Sequence, residues 1–297
     1  MAANLSLVAT GTDTGGSIRQ PANFCGVYGF KPTYGVVSRY GVIAMASSLD
    51  SVGHFASCVD DIERVFAVTR GEDGFDATVR DTRYEIPDTK PRLRLGIPKE
   101  YFISGIDKEV EKKVQEASKI FAKEGIEIKE VSLPHTKYAI SVYYIIQPAE
   151  VSSNLAKYDG IRYGNTRDAF GAEAKRRIML GTYVLSAGYY DAYYLKAQKV
   201  RSKIIDDFDK VFNEVDALIA PVSPTPAFKL GEKSQEPLAM YLADILTVSA
   251  NLAGIPGLAI PYGTNKVGLP LGFQLLGPKF SENTLFDLAK VFEEATK

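Results

Sequence analysis

Short apolar runs alternate with amphipathic segments along this chain. Strands are predicted for the apolar runs at residues 5–9, 93–97, 126–131, 258–260 and 271–276. The segments between them carry apolar residues at helical spacing. This alternation favours an α/β fold with helices layered on a sheet, and we interpret residues 1–297 as a single domain.

Three helices have recognisable ends. The first begins at Asp60 or Asp61 and stops near Gly71. The second follows the apolar spacing of residues 110–121, ends at Gly125, and carries a Glu- and Lys-rich face that is typical of solvated surface. Ser281 is predicted to cap the last helix. Residues 71–91 are predicted to form a loop.

Residues 175–212 contain few helix breakers, which predicts long helices joined near Gly181 and Gly188. A tyrosine cluster lies within this stretch. Its rings could form a substrate platform or a packing surface, and packing is the more general use of aromatic side chains. The cluster comprises Tyr183, Tyr189, Tyr190, Tyr193 and Tyr194.

Composition is that of an ordinary globular protein, with 45% hydrophobic and 24% charged residues. A net charge of −1 gives no electrostatic signature of nucleic-acid binding. No apolar run approaches a membrane span, and the first ten residues lack the charged region of a signal peptide, so a cytoplasmic location without membrane contact is expected. Cys25 and Cys58 form no disulfide framework, and Cys25 is expected in the core.

A glycine loop at residues 11–22 carries the candidate chemistry. Gly15 and Gly16 leave backbone N–H groups open to a substrate oxygen, and Ser17 follows them directly. Such donors stabilise the oxyanion of acyl transfer. Ser17 is therefore the candidate nucleophile, although the same letters also fit a polar turn before a helix with Pro21 in its first turn.

Other chemistries find little support in the sequence. His54 and His135 are the only histidines, and neither has the spacing of a zinc site or the context of a Ser-His-Asp triad. No phosphate-binding G-x-x-x-x-G-K-[ST] motif is present. We therefore expect no metal and no cofactor in this chain.

The loop belongs to a longer stretch, residues 12–53, that resembles the signature region of the amidase signature family. The resemblance implies amide hydrolysis by a Ser–cis-Ser–Lys triad on an α/β/α sandwich with a mixed central sheet. It also implies that Ser17 is the acylated serine. Thr14, Gly15 and Gly16 would then supply the oxyanion donors.

Later segments resemble one branch of that family, the glutaminase subunits of the glutamyl-tRNA(Gln)/aspartyl-tRNA(Asn) amidotransferases. The matching segments are residues 158–164, 174–201, 216–228 and 243–261. The resemblance implies a glutaminase that releases ammonia to a partner. The amidotransferase subunits B and C are the expected partners. The first of these would hold ATP, magnesium and most of the mischarged Glu-tRNA(Gln) or Asp-tRNA(Asn).

A glutamine site needs partners for an α-carboxylate and an α-ammonium, which an arginine and an aspartate provide. The resemblance assigns these roles to Arg177 and Asp244. Arg177 lies in a Lys175-Arg176-Arg177 run that could equally be a solvated helix face. Asp244 lies among apolar residues on a predicted helix and would need a partner there.

Two departures from the family pattern stand out. The family's cis-serine and lysine lie upstream of the nucleophile, and only 16 residues precede Ser17 here. We therefore expect an N-terminally truncated fold that is nearly inert alone, because Ser17 lacks an activating group. Relatives also carry a longer connection near residues 164–171. A stand-alone amidase and a catalytically dead scaffold remain the alternative functions.

Overall fold

A computed structural model describes residues 1–80, 93–232 and 237–297. Eight strands of these residues form one sheet. They are β1 (Val8–Asp13), β2 (Tyr28–Lys31), β3 (Ser51–Ala56), β4 (Arg94–Pro98), β5 (Glu127–Val131), β6 (Ala217–Ala220), β7 (Gly257–Thr264) and β8 (Pro270–Leu276).

The sheet is mixed, with the strand order β1-β3-β2-β7-β8-β6-β4-β5. Strand β4 pairs in parallel with β5 and β6, and the other pairings are antiparallel. Parallel strands need a crossover, and the helix that follows β4 provides it. Strands from both ends of the chain meet at the centre, where β2 pairs with β7.

Nine α-helices occur in the described parts of the chain. They are α1 (Arg19–Cys25), α2 (Val59–Thr69), α3 (Lys108–Lys123), α4 (Ala139–Leu155), α5 (Ala172–Val184), α6 (Lys196–Val211), α7 (Pro237–Leu242), α8 (Val248–Ala253) and α9 (Glu282–Thr296). A π-helical turn at Tyr190–Leu195 leads directly into α6.

Two hydrophobic clusters lie against the sheet and confirm the predicted α/β layering. One joins strand residues such as Phe30 and Phe273 to α2, α3 and α9. The other joins Leu218 and Leu276 to α4, α6 and α8. Edge-to-face rings such as Phe121 and Phe273, with centroids 6.1 Å apart, stabilise the first cluster beyond simple burial.

The predicted strand at residues 5–9 is placed too early. The strand β1 begins at Val8 and continues through glycine and threonine to Asp13, whereas Leu5 and Leu7 are 90% and 82% exposed. Pairing with β3 supplies the hydrogen bonds of this polar segment. Backbone pairing across the sheet, which apolar patterning does not report, sets the position of β1.

The expected helix junction near Gly181 is also wrong, since α5 runs through this residue to Val184. A methyl group at Gly181 would lie 1.8 Å from the carbonyl oxygen of Pro148. This glycine therefore permits close packing of α5 on α4 and does not break a helix. The junction at Gly188 is confirmed, with a turn between α5 and the π-helical turn.

Cys25 is exposed, contrary to the expectation that it lies in the core. It is the last residue of α1, and Gly26 turns the chain away in a left-handed conformation with φ +67°. The helix buries Arg19, Ala22 and Asn23 instead. Of the predicted loop at 71–91, residues 81–91 lie outside the described residues.

The other predicted helix ends are close to those observed. Asp60 and Asp61 lie in the first turn of α2, which begins one residue before Asp60, and α3 stops two residues before Gly125. Ser281 precedes α9, although its hydroxyl donates to the carbonyl of Pro278 and does not cap the helix. None of the helices described is both long enough and apolar enough to cross a bilayer.

Candidate active site

The glycine loop connects the end of β1 to the start of α1. Thr14, Gly15 and Gly16 are buried, whereas Ser17 is exposed one residue after Gly16. Within the part of the chain that the structure describes, the Ser17 hydroxyl makes no hydrogen bond. Ser17 is thus accessible to a substrate and lacks an activating partner in these residues.

A buried ion pair holds the loop from below. Asp13 and Arg19 are both fully buried and form a salt bridge of 3.1 Å between Arg19 Nε and Asp13 Oδ2. Arg19 also donates to the side chains of Gln274 at 2.9 Å and Asn251 at 2.7 Å. Burial opposes ionisation of Asp13, but Arg19 outweighs it and lowers the pKa of Asp13 to about 2.

Gly16 has a backbone conformation that other residues rarely adopt, with φ +128°. A methyl group here would lie 2.2 Å from Thr247 Oγ1. The Gly16 N–H donates to Asp13 Oδ1 at 2.8 Å. This arrangement differs from the predicted oxyanion role, because an N–H directed at Asp13 is not directed at a substrate oxygen. Gly16 instead shapes the turn.

Thr14 and Gly15 remain available as oxyanion donors. The Thr14 side chain is fixed by a 2.7 Å hydrogen bond to Asp50, which leaves its backbone N–H uninvolved in that contact. Thr247 Oγ1 donates to the carbonyl of Gly15 at 2.6 Å. Within the described residues, neither the Gly15 nor the Ser17 N–H has a hydrogen-bond acceptor, so the loop can offer both to a substrate.

Tyr143, on α4, covers the loop and was not identified from the sequence. It is 4% exposed, and a methyl group at Gly15 would lie 2.7 Å from its hydroxyl oxygen. This hydroxyl has no hydrogen-bond partner among the described residues. Burial raises the pKa of Tyr143, so it remains a neutral donor beside the loop.

Asp244 lies in the turn between α7 and α8, whereas the sequence had suggested a helix. Its carboxylate accepts hydrogen bonds from Gln20 Nε2 at 3.1 Å and Tyr144 Oη at 3.3 Å. These are the partners that its apolar surroundings require. Burial nevertheless raises the pKa of Asp244 to about 6, which leaves an acid that is poised to bind a cation.

Arg177, on α5, contacts two aromatic rings. Its guanidinium carbon lies 5.6 Å from the ring centre of Tyr144 and 5.9 Å from that of Tyr241. Its Nε donates to Glu173 Oε1 at 2.8 Å, and its side chain is 18% exposed. The structure thus places Arg177 mostly in the protein and not on a solvated helix face.

These contacts form one continuous site. Gln20, on the helix that follows Ser17, bonds Asp244, and Tyr144 joins Asp244 to Arg177. The sequence carried a faint signal for the supporting pair Asp13 and Arg19, since they flank the glycine loop directly. It carried none for Tyr143, Tyr144 or Tyr241, which reach the site only through helix packing.

The tyrosine cluster at residues 183–194 forms stacked pairs near the protein surface. Tyr183 and Tyr189 lie 4.2 Å apart, and Tyr190 and Tyr194 lie 5.2 Å apart, measured between ring centres. Several of these rings are 39–46% exposed. Packing of these rings on one another therefore coexists with considerable exposure, and a packing role stays a prediction.

The histidines lie in structural contacts. His54 is buried and its Nε2 lies 2.8 Å from Thr69 Oγ1, while His135 pairs with Asp207 at 3.0 Å. Among residues 1–80, 93–232 and 237–297, no three His, Cys, Asp or Glu side chains are grouped so as to hold a metal ion.

Comparison with known proteins identifies the family. The family model described as Amidase matches residues 1–286. The chain belongs to the amidase family. The glycine loop, the buried Asp13 and the exposed Ser17 therefore lie in an amidase signature fold, as the sequence resemblance predicted.

Two curated relatives are A subunits of glutamyl-tRNA(Gln) amidotransferase. The protein from Carboxydothermus hydrogenoformans is 53% identical over all of this chain and 65% of the relative, and that from Acidobacterium capsulatum is 54% identical over all of this chain and 67% of the relative. The chain thus spans about two thirds of the length of these relatives.

Solved structures confirm the fold class. The crystal structure of the glutamyl-tRNA(Gln) amidotransferase A subunit from Thermotoga maritima has a TM-score of 0.82 and 41% identity, covering 99% of this chain and 63% of that chain. Allophanate hydrolase from Kluyveromyces lactis has the same TM-score at 27% identity, covering 99% of this chain and 47% of that chain. The mixed sheet is thus shared with amidases that differ in named function.

Proposed function

We propose that this chain forms the glutamine-hydrolysing part of a tRNA-dependent amidotransferase. The observation that carries the proposal is the pair Arg177 and Asp244, which lie on opposite sides of Tyr144 and adjoin the nucleophile loop. A guanidinium and a carboxylate in this arrangement complement the α-carboxylate and α-ammonium of an amino acid. Its side-chain amide would then reach Ser17.

In this reaction the Ser17 hydroxyl attacks the carboxamide carbon of glutamine. The negative charge that develops on the carboxamide oxygen is stabilised by the N–H groups of Thr14, Gly15 and Ser17. Collapse of this intermediate breaks the C–N bond and releases ammonia, which takes up a proton as it leaves. A water molecule then hydrolyses the glutamyl ester on Ser17 and yields glutamate.

The reaction needs a base that accepts the Ser17 proton. No described side chain hydrogen-bonds to this hydroxyl, and the curated relatives are about half as long again as this chain. We assign the base to a part of the assembled enzyme outside residues 1–297. A positioned base typically contributes about 10²–10⁴-fold to the rate, so this chain alone is expected to be a weak glutaminase.

The released ammonia would serve a partner. The two relatives named as A subunits support an assembly with subunits B and C, in which the first of these binds ATP, magnesium and the mischarged Glu-tRNA(Gln) or Asp-tRNA(Asn). The near-neutral net charge of −1 is consistent with a tRNA held mainly by another protein of the assembly.

Loss of either charge should weaken glutamine binding. In the assembled enzyme, we expect Arg177→Ala and Asp244→Ala each to raise KM for glutamine by roughly one to two decades, because each removes a charge-assisted contact worth about 1.5–3 kcal/mol. Glutaminase rates measured against glutamine concentration test this expectation. Lys175→Gln, an exposed charge on the same helix as Arg177, is the matched control.

A stand-alone amidase would give a different result. It would hydrolyse simple amides such as butyramide as well as glutamine, and neither Arg177→Ala nor Asp244→Ala would change saturation by glutamine. That outcome would contradict the glutaminase proposal. A catalytically dead scaffold would show no amide hydrolysis in any assembly.

Glutamine binding should weaken in mild acid. The ionised form of Asp244 binds the α-ammonium, and its pKa of about 6 means that protonation competes with binding below this pH. We expect kcat/KM for glutamine to fall by about tenfold from pH 7 to pH 5. The pH profile with glutaramate, which lacks the α-amino group, should not show this transition. The same transition with both substrates would assign it to another group.

A further inference from the structure

We infer that Glu173 and Tyr241 together orient Arg177 so that only the outer edge of its guanidinium meets the substrate α-carboxylate. This inference rests on the proposed function. It makes Glu173 and Tyr241 positioning residues for the recognition of amino-acid amides, since neither needs to touch the reacting atoms.

One carboxylate oxygen organises the contacts. Glu173 Oε1 accepts hydrogen bonds from Arg177 Nε at 2.8 Å and from Tyr241 Oη at 3.1 Å. The other oxygen of Glu173 accepts a hydrogen bond from Arg176, on the outer side. Glu173 thus ties α5 to α7, two elements that are far apart in the sequence.

Aromatic stacking holds the guanidinium from a second direction. The rings of Tyr144 and Tyr241 stack with centres 3.9 Å apart and planes 25° apart, and the Arg177 guanidinium carbon lies 5.6 and 5.9 Å from these centres. Such cation–π contacts are stronger when the cation is shielded from water. A side chain held by both contacts loses less rotamer freedom when it binds substrate.

These contacts determine which Arg177 donors remain. Its Nε is used by Glu173, and within the described residues its two terminal nitrogens have no hydrogen-bond partner. The terminal nitrogens offer a planar, two-pronged edge that matches a carboxylate. The substrate is therefore bound end-on by the terminal nitrogens, and the side of the guanidinium that carries Nε is closed to it.

Charge balance supports the same conclusion. Without Glu173, the site would pair one cation, Arg177, with one anion, Asp244, and Arg177 could swing toward the free carboxylate of Asp244. Glu173 satisfies Arg177 on its far side and leaves Asp244 to Gln20 and Tyr144. The two recognition charges thereby stay separate, as a zwitterionic α-amino acid requires.

The experiment compares substrates that lack one recognition group. In the assembled enzyme, Glu173→Gln should raise KM for glutamine about tenfold and change kcat by less than about twofold. Tyr241→Phe, which removes one hydrogen bond, should raise KM by a smaller factor of roughly three. With 4-aminobutanamide, which lacks the α-carboxylate, both variants should match the wild type.

Lys175→Gln is the control for loss of a charge on α5 and should behave as the wild type with both substrates. An equal loss with glutamine and 4-aminobutanamide would show that Glu173 acts only on the general structure, and would overturn the inference. An unchanged KM for glutamine would do the same. If the wild type hydrolyses glutamine while only Glu173→Gln misses its expected behaviour, the glutaminase proposal stands and the orienting role falls. A wild type without glutaminase activity overturns both.

Discussion

Ser17→Ala should abolish glutamine hydrolysis by the assembled enzyme while leaving ammonia-dependent amidation intact. Only the release of ammonia passes through an ester on Ser17, so externally supplied ammonia bypasses the lost step. Loss of a nucleophile typically lowers the rate by several orders of magnitude, and a decrease of at least about 10³-fold is expected here. The measurement is amidation of mischarged tRNA with glutamine and, separately, with ammonium chloride.

Ser202→Ala is a suitable control, since Ser202 is an exposed serine on α6 whose hydroxyl bonds to a helix carbonyl. It should leave both activities unchanged. Glutaminase activity that survives in Ser17→Ala would exclude Ser17 as the nucleophile. Loss of both activities would instead indicate that the substitution disturbs assembly with the partner.

Arg19→Met should produce the largest loss of stability of any single change near the site. It leaves Asp13 ionised, fully buried and without its cation, and breaking a buried pair in this way costs about 3–5 kcal/mol. Arg19 also donates to Gln274, Asn251 and the carbonyl of Thr247, so these acceptors would lose a partner. Urea denaturation monitored by circular dichroism measures the change in the free energy of unfolding.

The matched control removes a lysine from a surface pair. Lys129 and Glu214 are both about half exposed, and Lys129→Met should cost less than about 1 kcal/mol because water screens such pairs. If Arg19→Met were no more destabilising than Lys129→Met, the buried pair would not support the nucleophile loop as described.

The Asp13 network also explains why the loop can be rich in glycine. A segment with two glycines loses much conformational entropy when it is ordered. Asp13 offsets that cost because it accepts hydrogen bonds from the N–H groups of Gly16 and Ile18, at 2.8 and 3.3 Å. The same carboxylate binds Arg19, so the rigid turn and the buried ion pair depend on each other.

Local pattern was sufficient for much of the fold. Residues 93–97, 126–131 and 271–276 are apolar runs, and each forms a strand within one residue of the predicted limits. The helix over residues 110–121 and the turn at Gly188 followed from spacing and glycine. In these segments the local preference agrees with burial, so no longer-range information was needed.

Patterning failed where a distant segment decides the outcome. Strand β1 is polar at Thr10 and Thr12, and it is a strand because β3 pairs with it. Gly181 is helical because the carbonyl of Pro148 leaves no room for a side chain. In both cases the partner lies tens of residues away, where a window of sequence does not reach.

The sequence by itself determined the family, the glycine loop and the exposed serine, because these properties reside in contiguous residues whose local conformation is constrained. Only the tertiary structure decided how Arg177 and Asp244 are held. Their partners Glu173, Tyr144, Tyr241 and Gln20 lie on four separate elements, and the hydrogen bonds among them form only after those elements pack. Recognition of an amino-acid amide is therefore a property of the packed helices, whereas the nucleophile is a property of one loop.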